Sequence, residues 1–187
     1  YLYGNRHSPS KVSGERIYRL TKNHYHIQTI QELTDEDNER IKKYKQYIKL
    51  QPWKSDGNYI LIIAPSHFQI AYHNIGSWVD DTIKTLKQYT DRPIKVRDKK
   101  SSRPLREEVQ SAYAIVSHNS AVVVDAVLNG VPVFCDKMNM GVPMGLTDFS
   151  KIEQPIKPAR LKWIHSLLAN QFTMTEIKNG TAWRKVQ

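Results

Sequence analysis

The rhythm of polar and apolar positions changes near residue 58. Beyond it, short apolar runs alternate with segments of helical spacing. Residues 59–64 (YILIIA) form a continuous apolar run that stops at Pro65-Ser66-His67. Residues 75–89 carry Trp78, Ile83 and Leu86 at helical spacing, which predicts a helix with those side chains inward. Residues 93–97 predict a strand, and 105–112 a short helix. Ala114-Ile115-Val116 predicts a buried strand that stops abruptly at Ser117-His118-Asn119-Ser120. A helix-like run follows to Leu128, Asn129-Gly130 ends it, and Val131-Pro132-Val133-Phe134 predicts another strand. This alternation argues for an α/β fold, a Rossmann-like parallel sheet with helices on both faces.

Before residue 58 the rhythm is looser. Arg16-Ile17-Tyr18-Arg19-Leu20 alternates like a half-exposed strand, and Ser8-Pro9-Ser10 and Ser13-Gly14 read as loop. Thr34 predicts an N-cap, with Asp35, Glu36 and Asp37 placing negative charge at the positive end of a helix. Ile41, Tyr44, Tyr47 and Ile48 recur on one face, and Lys42, Lys43, Lys45 and Lys49 fill the other. Pro52-Trp53 closes the segment, and Ser55-Asp56-Gly57-Asn58 is a turn. The pattern predicts a small N-terminal lobe over 1–58 and an α/β domain over 59–187. Two helices, at 158–169 and 173–178, end the latter, with Gly180 as a stop.

Ligands of open parallel sheets bind at the carboxyl ends of the strands, where following helices present free N–H groups and partial positive charge. The chain has four such ends: Pro65-Ser66-His67, Arg97-Asp98-Lys99-Lys100, Ser117-His118-Asn119-Ser120, and Asp136 onward. A phosphate at the helix start would meet backbone N–H groups and the Ser120 hydroxyl, with Arg97 or Lys99 on its other side. Asp125 follows Ser120 by about 1.4 helical turns and can reach ribose hydroxyls. Helix capping by Asn119 or Ser120, and an acid on a solvent edge, are the plainer alternatives. No G-x-G-x-x-G or P-loop pattern is present, which disfavours dinucleotide and P-loop ATPase folds. Asp80-Asp81 is adjacent rather than spaced D-x-D and reads as a solvated pair. His24 and His26 read as surface histidines rather than a metal pair.

Charge adds a partner. Lys and Arg number 28 against 18 Asp and Glu, a net charge of +10, which favours a polyanion. Lys42, Lys43, Lys45, Lys49 and Lys54 form one basic cluster. Lys95, Arg97, Lys99, Lys100, Arg103 and Arg106 form another. Cys135 is the single cysteine, so no internal disulfide forms and a cysteine zinc site is disfavoured. No apolar stretch approaches the ~20 residues of a membrane span, and no secretory signal is recognised. A cytoplasmic location is the expectation.

The stretch S-x-N-S-x-x-x-x-[DE]-A-x-x-x-G-[VI]-P-V-F resembles the donor-binding motif of GT-B-type glycosyltransferases, in particular capsule polysaccharide transferases. It is carried by Ser117, Asn119, Ser120, Asp125, Ala126, Gly130, Pro132, Val133 and Phe134. Further pieces are similar to short phage-encoded proteins of this fold. They are Pro52-Trp53 with Gly57, Ala64-Pro65-Ser66, TDRPIKVR at 90–97, IYRLT at 17–21, and QFTMTEI at 171–177.

The resemblance implies a metal-independent transferase with a nucleotide sugar, most simply a UDP-sugar, as donor. Ser66, Arg97, Lys99, Ser117, Asn119, Ser120 and Asp125 would hold it. Phage members imply a hydroxymethyl pyrimidine in DNA as acceptor. Lys100, Arg103, Arg106, Lys42, Lys45 and Arg19 would contact its phosphates. The base would be extruded, with Tyr3, Tyr18, Trp53, Phe68, Tyr72 and Trp78 as stacking candidates unless they pack in the core. Glycosyl transfer needs a base to deprotonate the acceptor, for which His118, His67, Asp98 and His7 are candidates. Residues 1–58 are too few for the second Rossmann lobe of a full GT-B enzyme. The acceptor side is then reduced or supplied by a partner subunit, as in a homodimer. A glycan acceptor, or a non-catalytic module that binds a nucleotide or nucleic acid, are the competing readings.

Overall fold

The computed structural model describes the backbone of residues 2–4 and residues 9–187. In chain order, β1 (Leu2–Gly4) and β2 (Ile17–Leu20) precede α1 (Asp35–Lys45). Then come β3 (Tyr59–Ile63), α2 (His67–His73), α3 (Trp78–Leu86), β4 (Ile94–Arg97), α4 (Leu105–Ser111), β5 (Ala112–Ser117), α5 (Val122–Leu128), β6 (Val133–Cys135) and β7 (Gly145–Leu146). The chain ends with α6 (Leu161–Ala169), β8 (Gln171–Thr173), α7 (Met174–Lys178) and α8 (Thr181–Arg184). Two compact units result: Lys49–Ala159, and a unit built from the chain up to Ile48 together with Arg160–Gln187.

The Lys49–Ala159 unit is α/β, a five-stranded parallel sheet flanked by helices, with strand order β4-β3-β5-β6-β7. Every residue of β3 and β5 is buried, as expected for strands covered on both faces. Ile60, Ile62, Ala114, Val116 and Phe134 form a core with Leu86, while Trp78 and Ile83 pack against its edge. The three inward positions expected on the 75–89 helix are therefore correct, although α3 itself is shorter. Fully burying each Ile or Leu of β3 contributes about 1.5–3 kcal/mol relative to exposure.

In the other unit, β1, β2 and β8 form an antiparallel sheet. Thr34 caps α1 as expected, closing a capping box with Asp37. Arg40 ties α1 to the chain's end. Its Nε donates to Glu176 at 3.0 Å, its Nη2 to the Gln171 carbonyl at 2.8 Å, and its guanidinium lies 4.3 Å from the Phe172 ring centre. These contacts and the β2–β8 pairing place the C-terminal helices with the N-terminal segment, whereas the sequence pattern grouped them with the α/β domain. The amphipathic face expected on α1 is narrower than the spacing implied. Ile41 is buried, but Tyr47 lies past the helix end and is 62% exposed.

Several short elements have no counterpart in the hydrophobic pattern, among them α2 and β8. The α2 segment, HFQIAYH, buries none of its residues, so no apolar periodicity announces it. Its mark was Ser66 with Gln69, a capping box three residues apart. The β8 strand has three residues and exists through its pairing with β2. The Gly141–Gly145 stretch is packed, with Met140, Gly141, Met144 and Gly145 all buried. Among the described residues no helix is long and apolar enough to cross a membrane.

Gly130 follows α5 with φ +73°, and a Cβ there would lie 1.9 Å from the Pro52 carbonyl oxygen. The Lys54 N–H donates to the Gly130 carbonyl at 2.7 Å, so residues 51–54 are laced to this turn. A Gly130→Ala variant is expected to lose about 1–3 kcal/mol from the left-handed backbone alone, and more from the steric overlap with Pro52. Urea unfolding of the two proteins checks it, and an unchanged midpoint would contradict this account of the turn.

Candidate functional site

Strand order reverses between β3 and β5. From β3 the chain steps outward to β4, then returns past β3 to β5 and continues to β6 and β7. Crevices of open α/β sheets form at the carboxyl ends of the strands where such a reversal occurs. Two polar segments meet there. One follows β3 and contains Ser66, His67 and Gln69. The other follows β5 and contains Ser117, His118, Asn119 and Ser120.

Gln69 joins them. Its Oε1 accepts from the Ser66 N–H at 2.9 Å, and its Nε2 donates to the Asn119 carbonyl at 2.8 Å. The ring of His73, at the end of α2, lies 5.1 Å from the ring of His118, and Trp78 meets His118 edge-on at 5.7 Å. From the other side, the fully buried Asn139 donates its Nδ2 to the carbonyls of His118 at 3.3 Å and Ser120 at 3.4 Å. Its Oδ1 accepts from the Gly141 N–H at 2.8 Å. Gln69, His73 and Asn139 are structural members of this site that residue patterns did not single out. Only the Ser66–Gln69 capping-box spacing offered a signal.

His118 and Asn119 are 4% and 5% exposed. The His118 Nδ1 and the Asn119 Oδ1 are buried and have no hydrogen-bond partner among the described residues. Leaving such an atom unpaired costs about 1–3 kcal/mol. Burial pushes the His118 imidazole below its ordinary pKa, the Asp136 carboxylate opposes this, and His73 adds to it. The ring is therefore neutral near pH 7 and able to accept a proton. Burial, with Asp136 adding, pushes the Cys135 thiol up to about 12, which leaves it inert as a nucleophile.

The helix after this junction starts later than its sequence suggests. α5 begins at Val122, with Ala121 as a cap that makes no side-chain hydrogen bond. Asn119 thus lies in the connecting turn rather than capping the helix. The Ser117 hydroxyl accepts from the Ser120 N–H at 3.0 Å, and the Ser120 hydroxyl from the Val122 N–H at 3.3 Å. Those two N–H groups are already engaged, contrary to the expectation of free donors for a phosphate. Asp125 is exposed on α5, and its backbone carbonyl accepts from the Asn129 side chain at 2.7 Å.

The other expected site residues are dispersed. Ser117, Ile63 and Arg97 share one row across β5, β3 and β4, which sets Arg97 about 10 Å from Ser117 at strand spacing. The Arg97 guanidinium pairs with Glu108, and both side chains are about 15% exposed. It also donates to the Arg103 carbonyl at 2.8 Å, so it is a structural cation rather than a free one. The Asp98 carboxylate closes a local turn, accepting from the Lys100 N–H at 2.9 Å and the Ser101 hydroxyl at 3.2 Å. His67 is exposed at the start of α2, and Lys99, Lys100, Arg103 and Arg106 are exposed around the β4–α4 connection.

Lys42, Lys45 and Arg19 belong to the other unit. There Lys42 pairs with Glu39 at 3.5 Å, Lys45 donates to Asn38 at 3.1 Å, and Arg19 lies 5.2 Å from the Tyr25 ring centre. Of the aromatic candidates, Trp53 is half-buried and donates its Nε1 to the Pro158 carbonyl at 3.0 Å. Trp78 packs on the core and Tyr18 is half-buried in β2. Phe68 and Tyr72 are exposed. His7 and the side chain of Tyr3 lie outside the described residues. His24 is exposed, but His26 is buried against Tyr25 rather than on the surface. Asp80 and Asp81 are exposed, as expected. No cluster of three or more metal-ligating side chains occurs among the described residues.

Comparison with family models, curated proteins and solved structures gives no match for this chain.

The depressed His118 pKa ties stability to pH. Its protonated form is favoured in the unfolded chain, so stability is complete above the unfolded value of about 6.5. It falls as pH drops through that value, and levels off below the folded pKa. His165, lowered by burial and by Lys45, acts in the same sense. Denaturant unfolding between neutral and mildly acid pH should show this loss, and His118→Asn should make the dependence shallower. An unaltered slope in the variant would mean that His118 titrates normally.

Proposed function

We propose that this protein is a glycosyltransferase that binds a nucleotide sugar at the β3/β5 switch point and transfers the sugar to a hydroxylated pyrimidine of DNA. One observation carries the reading. The crevice position is lined by two polar segments, and one of them holds buried, unpartnered polar atoms on His118 and Asn119. A fold that retains unpaired polar atoms at its ligand-binding edge gains when a ligand or its water shell satisfies them. The resemblance of residues 117–134 to a GT-B donor motif supplies the class of ligand.

The chemistry follows from the groups available. The acceptor hydroxyl oxygen forms a bond to the anomeric carbon, the bond from that carbon to the diphosphate breaks, and the hydroxyl proton goes to a base. A neutral His118 imidazole suits that role. Asp98 is less suited, because its carboxylate already closes a turn. Arg97, held by Glu108, shapes the β4–α4 connection. Stabilisation of the departing diphosphate then falls to Lys99. The net charge of +10 supports a polyanionic acceptor. The occupied Arg97 favours a second reading, a non-catalytic domain that binds nucleotide or nucleic acid without a cationic phosphate clamp.

The test is to incubate the protein with a panel of nucleotide sugars, with and without hydroxymethylated DNA, and to weigh the digested nucleosides. A sugar-sized mass gain is the expected result. His118→Gln should then lower turnover by roughly 10²–10⁴-fold while donor binding persists, and Asp98→Asn should keep most of the activity. Donor binding without transfer would move the acceptor to a glycan, and neither would leave the second reading.

A further inference from the structure

The carboxyl edge of the sheet presents three kinds of surface in strand order. The connection after β4 is cationic, with Lys99, Lys100 and Arg103 exposed. The connection after β3 carries α2, on which Phe68 and Tyr72 are 86% and 81% exposed. The connection after β5 holds His118 and Asn119. The first two are direct neighbours, since the Ala64 N–H donates to the Arg97 carbonyl at 2.9 Å. The second and third are joined by Gln69 and by the His73–His118 ring contact.

Phe68 and Tyr72 are four residues apart and so lie on one face of α2, a turn from each other. Neither ring contributes to the core, because α2 buries no residue. Two large exposed aromatics on a short helix, beside an exposed cationic loop, match the composition of a single-strand nucleic-acid surface. Cations follow the phosphates, and rings stack on the bases without regard to sequence. A paired base hides its faces in the duplex stack, so such rings favour unpaired bases.

We propose that Phe68 and Tyr72, together with Lys100 and Arg103 of the β4–α4 loop, form a stacking platform for unpaired DNA, so that the acceptor is taken as a single strand or as an extruded base. This rests on the reading of DNA as acceptor and adds the form in which DNA is recognised. The phosphates lie along the β4–α4 loop, bases stack on α2, and the acceptor base is presented toward His118.

The test is fluorescence anisotropy with a labelled single strand of about 16 nucleotides and with the same sequence as a duplex, across a range of salt. The single strand should bind more tightly. Phe68→Ala and Tyr72→Ala should each weaken single-strand binding by roughly fivefold or more without changing its salt slope or the protein's Tm. Tyr72→Phe should bind like the parent. Lys100→Ala and Arg103→Ala should each make the salt slope shallower by about one unit.

Unchanged affinity in both aromatic variants would overturn the platform, as would a preference for duplex. A concentration-dependent dimer that Phe68→Ala dissolves would also overturn it, by giving the patch to a second copy. Donor binding is measured separately by titrating the nucleotide sugar, so loss of the platform is distinguishable from loss of the transferase reading.

Discussion

A strand that is paired on both edges and covered on both faces leaves only its two ends for polar chemistry. β3 is such a strand, lying between β4 and β5 with all of its residues buried. The rest of the Lys49–Ala159 unit follows from that constraint. A polar side chain within β3 or β5 needs a partner beyond the sheet, as Tyr59 has in the Glu108 carbonyl at 2.9 Å and Tyr113 in the Glu153 carbonyl at 3.1 Å. Serines, histidines and amides therefore collect where these strands stop. The strand order reverses at this pair, and Gln69 bridges the connections after β3 and β5.

The energetics of that junction differ from those of the sheet. In the middle of the sheet, β3 and β5 are each paired on both edges and every one of their residues is buried. At the junction, Ser117 and Ser120 spend their hydroxyls on local N–H groups, whereas His118 and Asn119 keep a buried atom unmatched. The same loop thus contains a self-contained half and an incomplete half. Asn139 holds the incomplete half in place from the neighbouring connection. This arrangement is expensive for stability alone and makes sense when a further group completes it.

Much of the fold was legible because long apolar runs and caps act locally. Residues 59–64 and 114–116 read as buried strands, and Thr34 with its acidic turn reads as a helix start. Trp78, Ile83 and Leu86 read as one face. What was not legible depends on distant partners. Whether Arg97 is a free cation depends on Glu108, a turn into the next helix. Whether the Gly141–Gly145 stretch moves depends on its packing, including the close approach of Gly145 to Val133. The grouping of residues 160–187 depends on a three-residue strand whose pairing with β2 spans most of the chain. At the site, the polar residue types could be read from the sequence. The incomplete hydrogen bonding that distinguishes Asn119 from an ordinary cap could not.

The discontinuous unit has a consequence for synthesis on the ribosome. β2 pairs with β8, about 150 residues further along the chain, so one edge of β2 stays open while the whole of Lys49–Ala159 is being made. At about 5–20 residues per second that is a wait of roughly 8–30 s. During it the α/β unit can fold, as its strands and helices are contiguous, while the N-terminal segment offers an unpaired strand edge. The order of completion is therefore inverted: β2, made before the α/β unit, gains its second neighbour only after that unit is complete, and a ribosome that stops short of Gln171 leaves β2 without β8.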